Sequence, residues 1–136
     1  MSNHRFVFMN TTLVTSFGLF RLSPITVDVV RDLLANHRDI ERLSAIGHEA
    51  TANIMTALLG ETIAMNRIEY KQQFNDLVIC FKLHSRVPEG TILTEEEITK
   101  IGFEFMVLEK TGGELEHPLE HTRDTPFRVL SQERPE

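Results

Sequence analysis

Residues Ser44–Thr51 read Ser-Ala-Ile-Gly-His-Glu-Ala-Thr and join a short apolar run to the first turn of a helix. The run ends at Gly47, His48 follows, and apolar residues then recur at helical spacing as far as Leu59. Such a junction aims one side chain out of the fold beside the backbone N–H groups that a helix start leaves unbonded. Those groups attract anions, and a histidine beside them can donate a proton to a bound phosphodiester. The competing interpretation is a histidine that is only solvated or hydrogen-bonded.

The length and composition indicate one globular domain with a substantial core. The chain has 136 residues, of which 41% are apolar, and its formal net charge is −6. An acidic chain is not expected to bind duplex nucleic acid, because such affinity comes largely from Lys and Arg that neutralise phosphates. A small anionic ligand needs only a few convergent cations, so the charge is compatible with one.

The sequence also argues against a membrane protein or a secreted protein. No segment approaches the ~20 consecutive apolar residues of a membrane span, and the first residues lack the pattern of a signal peptide. The single cysteine, Cys80, cannot form an internal disulfide and lies in an apolar run that indicates buried packing. We therefore expect a cytoplasmic protein without membrane contact.

The pattern of apolar residues predicts an α/β domain. Apolar residues that alternate or run continuously are typical of strands, and those spaced three or four apart are typical of helices. The predicted strands cover residues 5–9, 18–22, 62–70, 77–83 and 102–108. The predicted helices begin after Thr26, His48 and Thr94. In this interpretation the domain covers residues 1–110, and residues 111–136 form a flexible acidic tail.

Particular residues set the boundaries between these elements. Ser23-Pro24 breaks the apolar pattern and is predicted to end the second strand. Residues 36–39 are polar and fit either a loop or a continuation of the first helix. Residues 74–76 fit a turn, so the strands at 62–70 and 77–83 are predicted to form a hairpin.

Four polar clusters interrupt the apolar pattern. They are Asn10-Thr11-Thr12 after the first strand, Gly47-His48, Asn66-Arg67 within a predicted strand, and the loop Arg86–Gly90. An arginine within a strand is often a surface residue paired with a carboxylate, here Glu69. Arg86 and Glu89 fit a solvated loop equally well. Taken one by one, the clusters do not assign a function.

Taken together, in this order and spacing, the clusters resemble the viral type III anti-CRISPR ring nucleases. The shared features are Asn10, the stretch 44–51, Leu-Leu-Gly at 58–60, Asn66-Arg67, Arg-Val-Pro-Glu-Gly at 86–90 and Leu-Thr-Glu-Glu-Glu at 93–97. The combination spans residues 5–109 and is far more specific than any one of its parts. The family consists of small proteins of archaeal viruses and bacteriophages, with some cellular relatives.

The resemblance implies a fold, an activity and a partner. It implies a single α/β domain with a mixed β-sheet of about five strands flanked by helices, assembled as a symmetric homodimer. Family members degrade cyclic tetra-adenylate, the second messenger of type III CRISPR complexes, to linear di-adenylates, and so switch off the defence. They need no metal or cofactor, and the ring lies across the two-fold axis beneath loops. We therefore expect a phosphodiesterase of the cytoplasm, the host's if the gene is viral.

Three residues are expected to be catalytic on the strength of the resemblance. His48 matches the family's catalytic histidine and suits the general acid that protonates the departing 5′-oxygen. Arg86 matches the loop arginine, whose paired N–H donors can hold phosphate oxygens. Glu89 matches a glutamate beside the site and is expected to orient either His48 or the attacking 2′-hydroxyl.

Residues near the end of the first strand are expected to bind the substrate. Asn10 matches a residue that contacts the ligand in the family, and Thr11 and Thr12 add hydroxyl groups beside it. Many members have a serine where this chain has Leu13, so no such contact is expected from that position.

Further substrate contacts are predicted from Gly47, Arg67 and Lys82. Gly47 contributes backbone beside the helix start, and Arg67 matches a family arginine expected to bind phosphate or to shape the pocket. Lys82 and His84 lie two residues apart, on one face of a strand. Either can reach the ring, or both are ordinary exposed residues.

A metal site is not predicted. His117 and His121 have a helical ligand spacing, but Pro118 lies between them in a tail with few apolar residues. The main rival function is a binding protein that sequesters the cyclic ligand, or another nucleotide, without cleaving it. A more distant alternative is a small viral regulator that contacts another protein through its tail.

Overall fold

Five strands of the chain form one mixed sheet, and three helices pack on it. The computed structural model describes residues 4–86 and 92–112, and all of these elements lie within those ranges. The strands are β1 (Arg5–Met9), β2 (Leu19–Ile25), β3 (Glu41–Ser44), β4 (Asp76–Leu83) and β5 (Phe103–Gly112). The helices are α1 (Val27–Asn36), α2 (Glu49–Leu59) and α3 (Glu95–Ile101). The prediction of an α/β domain with a mixed sheet of about five strands flanked by helices is confirmed.

The order of the strands, β2-β5-β4-β1-β3, brings the ends of three of them to one edge of the sheet. β1 pairs in parallel with β3 and with β4, whereas β5 pairs antiparallel with β4 and with β2. The carboxyl ends of β1, β3 and β4 therefore lie side by side. Ligands of open α/β sheets bind outside such carboxyl ends. The segments that follow Met9, Ser44 and Leu83 are the ones brought together at this edge.

The helices cover one face of the sheet, where aromatic side chains from three strands meet them. Phe8, Phe81 and Phe105 are almost fully buried there, in one core with Met55 of α2 and Ile98 of α3. The ring centroids of Phe81 and Phe105 lie 5.1 Å apart. Full burial of a side chain of this size contributes about 1.5–3 kcal/mol to stability. This core holds α2, and with it the start of the helix, against the sheet.

A second, smaller core lies on the opposite face. It contains Val7 of β1, Cys80 of β4 and Leu108 of β5, together with the buried Tyr70. β1 is buried on both faces from Phe6 to Met9, and its sequence there is continuously apolar rather than alternating. Burial raises the pKa of the Cys80 thiol, which fits the predicted packing role.

The predicted hairpin of residues 62–70 and 77–83 is wrong in its first half. Residues 77–83 lie within β4, but residues 62–70, all of them described, join no strand of the sheet. β4 has β1 on one side and β5 on the other, so no edge of β4 is left for a hairpin partner. The segment instead runs beside residues 44–47, where Ile46 and Met65 form an isolated parallel bridge.

The structure also settles three other predicted boundaries between elements: two differ from the prediction, and one decides between two alternatives. β2 continues through Pro24 to Ile25, which is tolerated because β2 is an edge strand. α1 includes Asn36 and ends there, and β3 begins at Glu41, so residues 37–39 are a loop rather than a helix continuation. β5 extends to Gly112, two residues into the predicted tail. The rest of that tail, residues 113–136, lies outside the described residues.

A buried carboxylate ties β1 to β4 at the opposite edge of the sheet. Asp76 accepts hydrogen bonds from Arg5 Nε at 3.0 Å and Nη2 at 2.9 Å, and also from the Tyr70 hydroxyl and the Gln73 N–H. Desolvation is the largest single effect and raises the pKa of Asp76, but the hydrogen bonds together hold it below its ordinary value. Burial, followed by the bond to Asp76, raises the pKa of Tyr70.

Candidate functional site

A cleft of about 360 Å³ opens at the edge where β1, β3 and β4 end. Asn10 directly follows β1, His48 follows β3 as the residue before α2, and Arg86 follows β4. All three line the cleft. The other lining residues are Ala50, Thr51, Ile54, Leu83 and Ser85. The strand order therefore brings together three of the polar clusters that lie far apart in the sequence.

His48 is the N-cap residue of α2 and has extended backbone angles, φ −135° and ψ 120°. The first helical hydrogen bond runs from the Ala52 N–H to the His48 carbonyl, over 3.1 Å. Within α2, every residue of which the structure describes, the His48 side chain caps none of the first-turn N–H groups. A half-buried imidazole therefore lies beside first-turn N–H groups that it does not cap.

The backbone of Gly47, immediately before His48, is held on both sides. The Gly47 N–H donates to Asn10 Oδ1 over 3.5 Å. The Gly47 carbonyl accepts from Arg67 Nε over 2.8 Å. A Cβ atom at position 47 would lie 3.2 Å from the Arg67 Cγ, closer than most such contacts. The missing side chain of Gly47 thus permits the close approach of Arg67.

Residues next to Arg67 in the sequence form hydrogen bonds with the segment that precedes Gly47. Ser44 Oγ donates to the Ala64 carbonyl over 2.5 Å, and Asn66 Nδ2 donates to the Ser44 carbonyl over 2.7 Å. The Asn66 N–H donates to the Ile46 carbonyl, also over 2.7 Å. We call residues 64–67 the strap. The strap thus bonds to two of the three residues that lead into Gly47 and His48, namely Ser44 and Ile46.

The predicted site residues differ in where the structure places them. Asn10, His48 and Arg86 line one cleft, and Gly47 adjoins it. Arg67 is exposed and contacts the site through Gly47 rather than by lining the cleft. Glu89 lies outside the described residues.

The two threonines after Asn10 do not line the cleft. Thr12 Oγ1 contacts the Met106 sulfur at 3.7 Å, on the sheet face opposite the helices. Thr11 is exposed. A bound ligand would therefore have to extend beyond the cleft to reach either hydroxyl.

Lys82 is likewise outside the cleft. It is exposed on β4, opposite Glu104 of β5 in the register. Because Phe81 faces the helices, Lys82 points to the other face of the sheet. His84 lies two residues further along that face, 3.7 Å from a Glu104 carboxylate oxygen.

Two polar residues that line the cleft, Thr51 and Ser85, are not among those the sequence predicted. Thr51 is the third residue of α2, where the N–H groups of the first turn lie. Ser85 directly precedes Arg86. Thr51 lies within the stretch 44–51 that carries the resemblance, and Ser85 lies beside Arg86, but the sequence assigned no role to either.

Comparison with known proteins assigns the family. The profile of the STIV B116-like family matches residues 6–105. The chain belongs to the STIV B116-like family. The matched region contains every described residue of the cleft.

The relatives of this B116-like protein come from a bacterium and from archaeal viruses. The uncharacterized protein YddF of Bacillus subtilis is 37% identical over 101 residues, which cover 74% of this chain and 93% of YddF. The uncharacterized protein 26 of a Sulfolobus islandicus filamentous virus is 36% identical over 86 residues, or 62% of this chain and 70% of the relative. The predicted relationship to a viral protein family is confirmed, whereas ring nuclease activity stays a prediction.

A solved structure supports the fold of the B116-like chain. It is B116 of Sulfolobus turreted icosahedral virus, which is 21% identical and superposes with a TM-score of 0.67. The match covers 77% of this chain and 98% of B116. At this identity the likeness concerns the fold alone.

Two kinds of feature are missing from the part of the chain that the structure describes. No three His, Cys, Asp or Glu residues of 4–86 and 92–112 form a group that could hold a metal ion. The predicted tail histidines, His117 and His121, lie outside those ranges. No helix in them is long and apolar enough to cross a membrane.

Proposed function

We propose that this B116-like protein is a metal-independent ring nuclease that opens cyclic tetra-adenylate to linear di-adenylates and thereby switches off type III CRISPR defence. The observation that supports this most is the cleft in which His48 lies with Arg86 and Asn10 at the first turn of α2. A proton donor, a cation and backbone N–H groups around one cleft suit the cleavage of an RNA phosphodiester. The resemblance to ring nucleases in residues 44–51 and 86–90 is the reason for proposing cyclic tetra-adenylate as the substrate.

The proposed reaction uses the nucleophile that RNA itself contains. A 2′-oxygen attacks the adjacent phosphorus, and the bond from phosphorus to the 5′-oxygen breaks in line with it. His48 gives its proton to that 5′-oxygen, and the 2′-hydroxyl proton leaves to a base or to solvent. The products of each cleavage are a 2′,3′-cyclic phosphate and a 5′-hydroxyl. Because Nδ1 of His48 is buried, Nε2 is the nitrogen we assign to proton donation.

Two sets of donors would stabilise the negative charge of the phosphate. Arg86 is exposed at the rim of the cleft and can pair its N–H donors with two phosphate oxygens. The first-turn N–H groups of α2 point toward the same space and add the positive end of the helix dipole. Donors of this kind stabilise charge that develops in the transition state.

The remaining lining suits an adenosine better than a bare phosphate. Ile54 and Leu83 provide apolar wall, and Thr51 and Ser85 provide hydroxyl groups. Apolar wall combined with a few placed polar groups is common in small-molecule sites.

We further propose that two copies of the chain bind one ring. The cleft measures about 360 Å³, near the lower end of the roughly 300–1,000 Å³ typical of ligand pockets, so one cleft suits part of the ring. Leu13, Val14 and Phe17 follow the site residue Asn10 and are 53%, 56% and 90% exposed. Burying these apolar side chains against a second copy would place two clefts near one two-fold axis.

A single-turnover assay tests the proposal. Labelled cyclic tetra-adenylate is mixed with excess protein in the presence of a chelator, and the products are separated over time. We expect conversion to linear di-adenylates, and in His48→Ala a loss of about 100- to 10,000-fold in rate with binding retained. A matched control is His37→Ala, which removes an exposed histidine of the α1 terminus far from the cleft.

Each other outcome points to one of the rival functions. Tight binding of the ring by the wild-type protein, with no cleavage, would identify a protein that sequesters the messenger. No binding at all would reject both and favour a regulator that acts on another protein. Sedimentation of the protein with and without the ring tests the homodimer.

A further inference from the structure

Arg67 contacts the site through a backbone carbonyl. Its Nε donates to the carbonyl of Gly47 over 2.8 Å, and the described residues that line the cleft do not include it. Its place in the chain, next to Asn66 of the strap, explains how it reaches Gly47. The contact therefore involves the residue that immediately precedes the proposed general acid.

We propose that Arg67 is a positioning residue for His48, which holds the Gly47 peptide at the angle from which the imidazole projects into the cleft. This inference rests on the ring nuclease function proposed above. The sequence left a phosphate contact and a role in shaping the pocket open for Arg67; the inference assigns it the second, and the two roles predict different kinetics.

Peptide geometry connects the Gly47 carbonyl to the His48 side chain. The carbonyl carbon and oxygen of Gly47 share one plane with the nitrogen and Cα of His48. A hydrogen bond that fixes the direction of this carbonyl therefore fixes the plane from which the His48 side chain departs. Only the φ angle of His48 and its side-chain torsions remain between that plane and the imidazole.

The preceding peptide plane is held too. The Ile46 carbonyl accepts from the Asn66 N–H over 2.7 Å, and the Gly47 N–H donates to Asn10 Oδ1 over 3.5 Å. The peptide plane before Gly47 is thus bonded at both its carbonyl and its N–H, and the plane after it is bonded at the Gly47 carbonyl. Glycine is the residue with the widest choice of backbone angles, so these bonds restrict a joint that would otherwise be loose.

Lysine cannot reproduce the arrangement. The guanidinium is planar and donates from Nε in a fixed direction, whereas an ammonium group is a compact charge on a flexible chain. Arg67→Lys therefore keeps the positive charge but loses the directed bond. Gly47→Ala acts on the same bond from the other side, because its Cβ would lie 3.2 Å from the Arg67 Cγ.

The test compares cleavage at saturation with binding in Arg67→Lys and Gly47→Ala. Binding is measured with a 2′-deoxy analogue of cyclic tetra-adenylate, which has no attacking hydroxyl. We expect the saturating single-turnover rate to fall about 10- to 100-fold, since a misplaced catalytic group costs up to about 100-fold. We expect the Kd for the analogue to change less than threefold in Arg67→Lys. Arg38→Gln, at an exposed arginine outside the site, controls for a general loss of charge.

A second readout uses the protein without any ring. The NMR signals of the His48 ring should shift in Arg67→Lys but stay in place in Arg38→Gln. Arg67 is exposed, so the melting temperature of the variant should remain close to that of the wild type.

The saturating rate decides the outcome where the wild-type protein cleaves the ring. An unchanged rate in Arg67→Lys overturns the inference, whatever happens to the Kd, and a weaker Kd alone would identify a phosphate ligand. If the wild-type protein does not cleave the ring, the proposed function fails on its own, and the His48 signals decide. Signals that do not move then overturn the inference as well.

Discussion

The side-chain amide of Asn10 and the backbone of Gly47 are joined by a hydrogen bond in which Asn10 Oδ1 accepts from the Gly47 N–H. The amide oxygen of Asn10 is therefore engaged by the protein backbone. The two N–H donors on Nδ2 are then the part of Asn10 that can serve a ligand in the cleft. A donor, rather than an acceptor, is what a phosphate or a sugar oxygen requires.

Replacing Asn10 with aspartate separates these two tasks. Asn10→Asp keeps an oxygen for the Gly47 N–H but removes both donors and adds a negative charge beside the proposed phosphate. We expect the Kd for the 2′-deoxy ring to rise about 10- to 100-fold, because hydrogen bonds to charged groups contribute about 1.5–3 kcal/mol. Asn53→Asp, at an exposed position of α2, is the matched control. Equal binding by Asn10→Asp and wild type would show that Asn10 serves only the backbone.

Arg86 is expected to contribute through the geometry of its donors as well as through its charge. Arg86→Lys should weaken binding of the ring on the order of tenfold, since a bidentate contact becomes a single one. Arg86→Gln, which also removes the charge, should weaken it further. Titration calorimetry of both variants with the 2′-deoxy ring checks the order. A lysine variant that binds as tightly as the wild type would argue against paired donors.

Thr51 gives a test of a residue to which the structure, and not the sequence, assigns a place in the site. Thr51→Val keeps the shape of the side chain and removes the hydroxyl from the wall of the cleft. We expect roughly three- to tenfold weaker binding of the ring, the effect of one neutral hydrogen bond of about 0.5–1.5 kcal/mol. Thr62→Val, at an exposed residue outside the cleft, should leave the Kd unchanged. The same Kd in both variants would remove Thr51 from the site.

The Asp76 network predicts how stability depends on pH. The pKa of Asp76 is lower in the folded protein than in the unfolded chain, where it is about 3.9. Its stabilisation is therefore present above that unfolded value and is lost as the pH falls through the folded value. Urea unfolding should show a free energy of unfolding that declines from about pH 4 downward, and that declines less in Asp76→Asn.

At neutral pH the same variant should be strongly destabilised. Asp76 is buried, with 3% side-chain exposure, and its loss removes the carboxylate to which the Arg5 guanidinium is bonded. Breaking such a pair costs about 3 kcal/mol. Asp28→Asn is the control, because Asp28 pairs with Arg31 at 84% exposure and should contribute less than about 1 kcal/mol. Similar losses in the two variants would contradict a special role for Asp76.

Local chemistry explains why most elements could be predicted. Thr26 and Thr94 accept hydrogen bonds from the N–H groups three residues on, as N-cap residues do. Gly60 ends α2 in the left-handed region, with φ 77°. Such signals involve neighbours in the sequence, so the helix boundaries follow from a few residues.

The segment 62–70 could not be predicted in the same way, because its partners are distant. Its apolar pattern suits a strand, but both edges of β4 are already occupied by β1 and β5. Its residues 64–67 bond instead to residues 44–47. Periodicity reports which residues prefer an extended chain and does not report which edge is free.

In the candidate site, too, some residues could be predicted from the sequence and others could not. Asn10, His48 and Arg86 follow strands whose carboxyl ends meet, so the topology brings them to one cleft. The contact of Arg67 could not be anticipated, because its partner is a backbone carbonyl, which every residue has. Thr51 was equally hidden, since a threonine in the first turn of a helix is common.

The most direct measurement concerns the proton that His48 is proposed to donate. A cyclic tetra-adenylate with sulfur in place of each bridging 5′-oxygen has thiolate leaving groups, which depart without a general acid. We predict that His48→Ala cleaves this ring at nearly the wild-type rate, while it cleaves the normal ring about 100- to 10,000-fold more slowly than wild type. An equal loss of rate on both rings would contradict proton donation by His48.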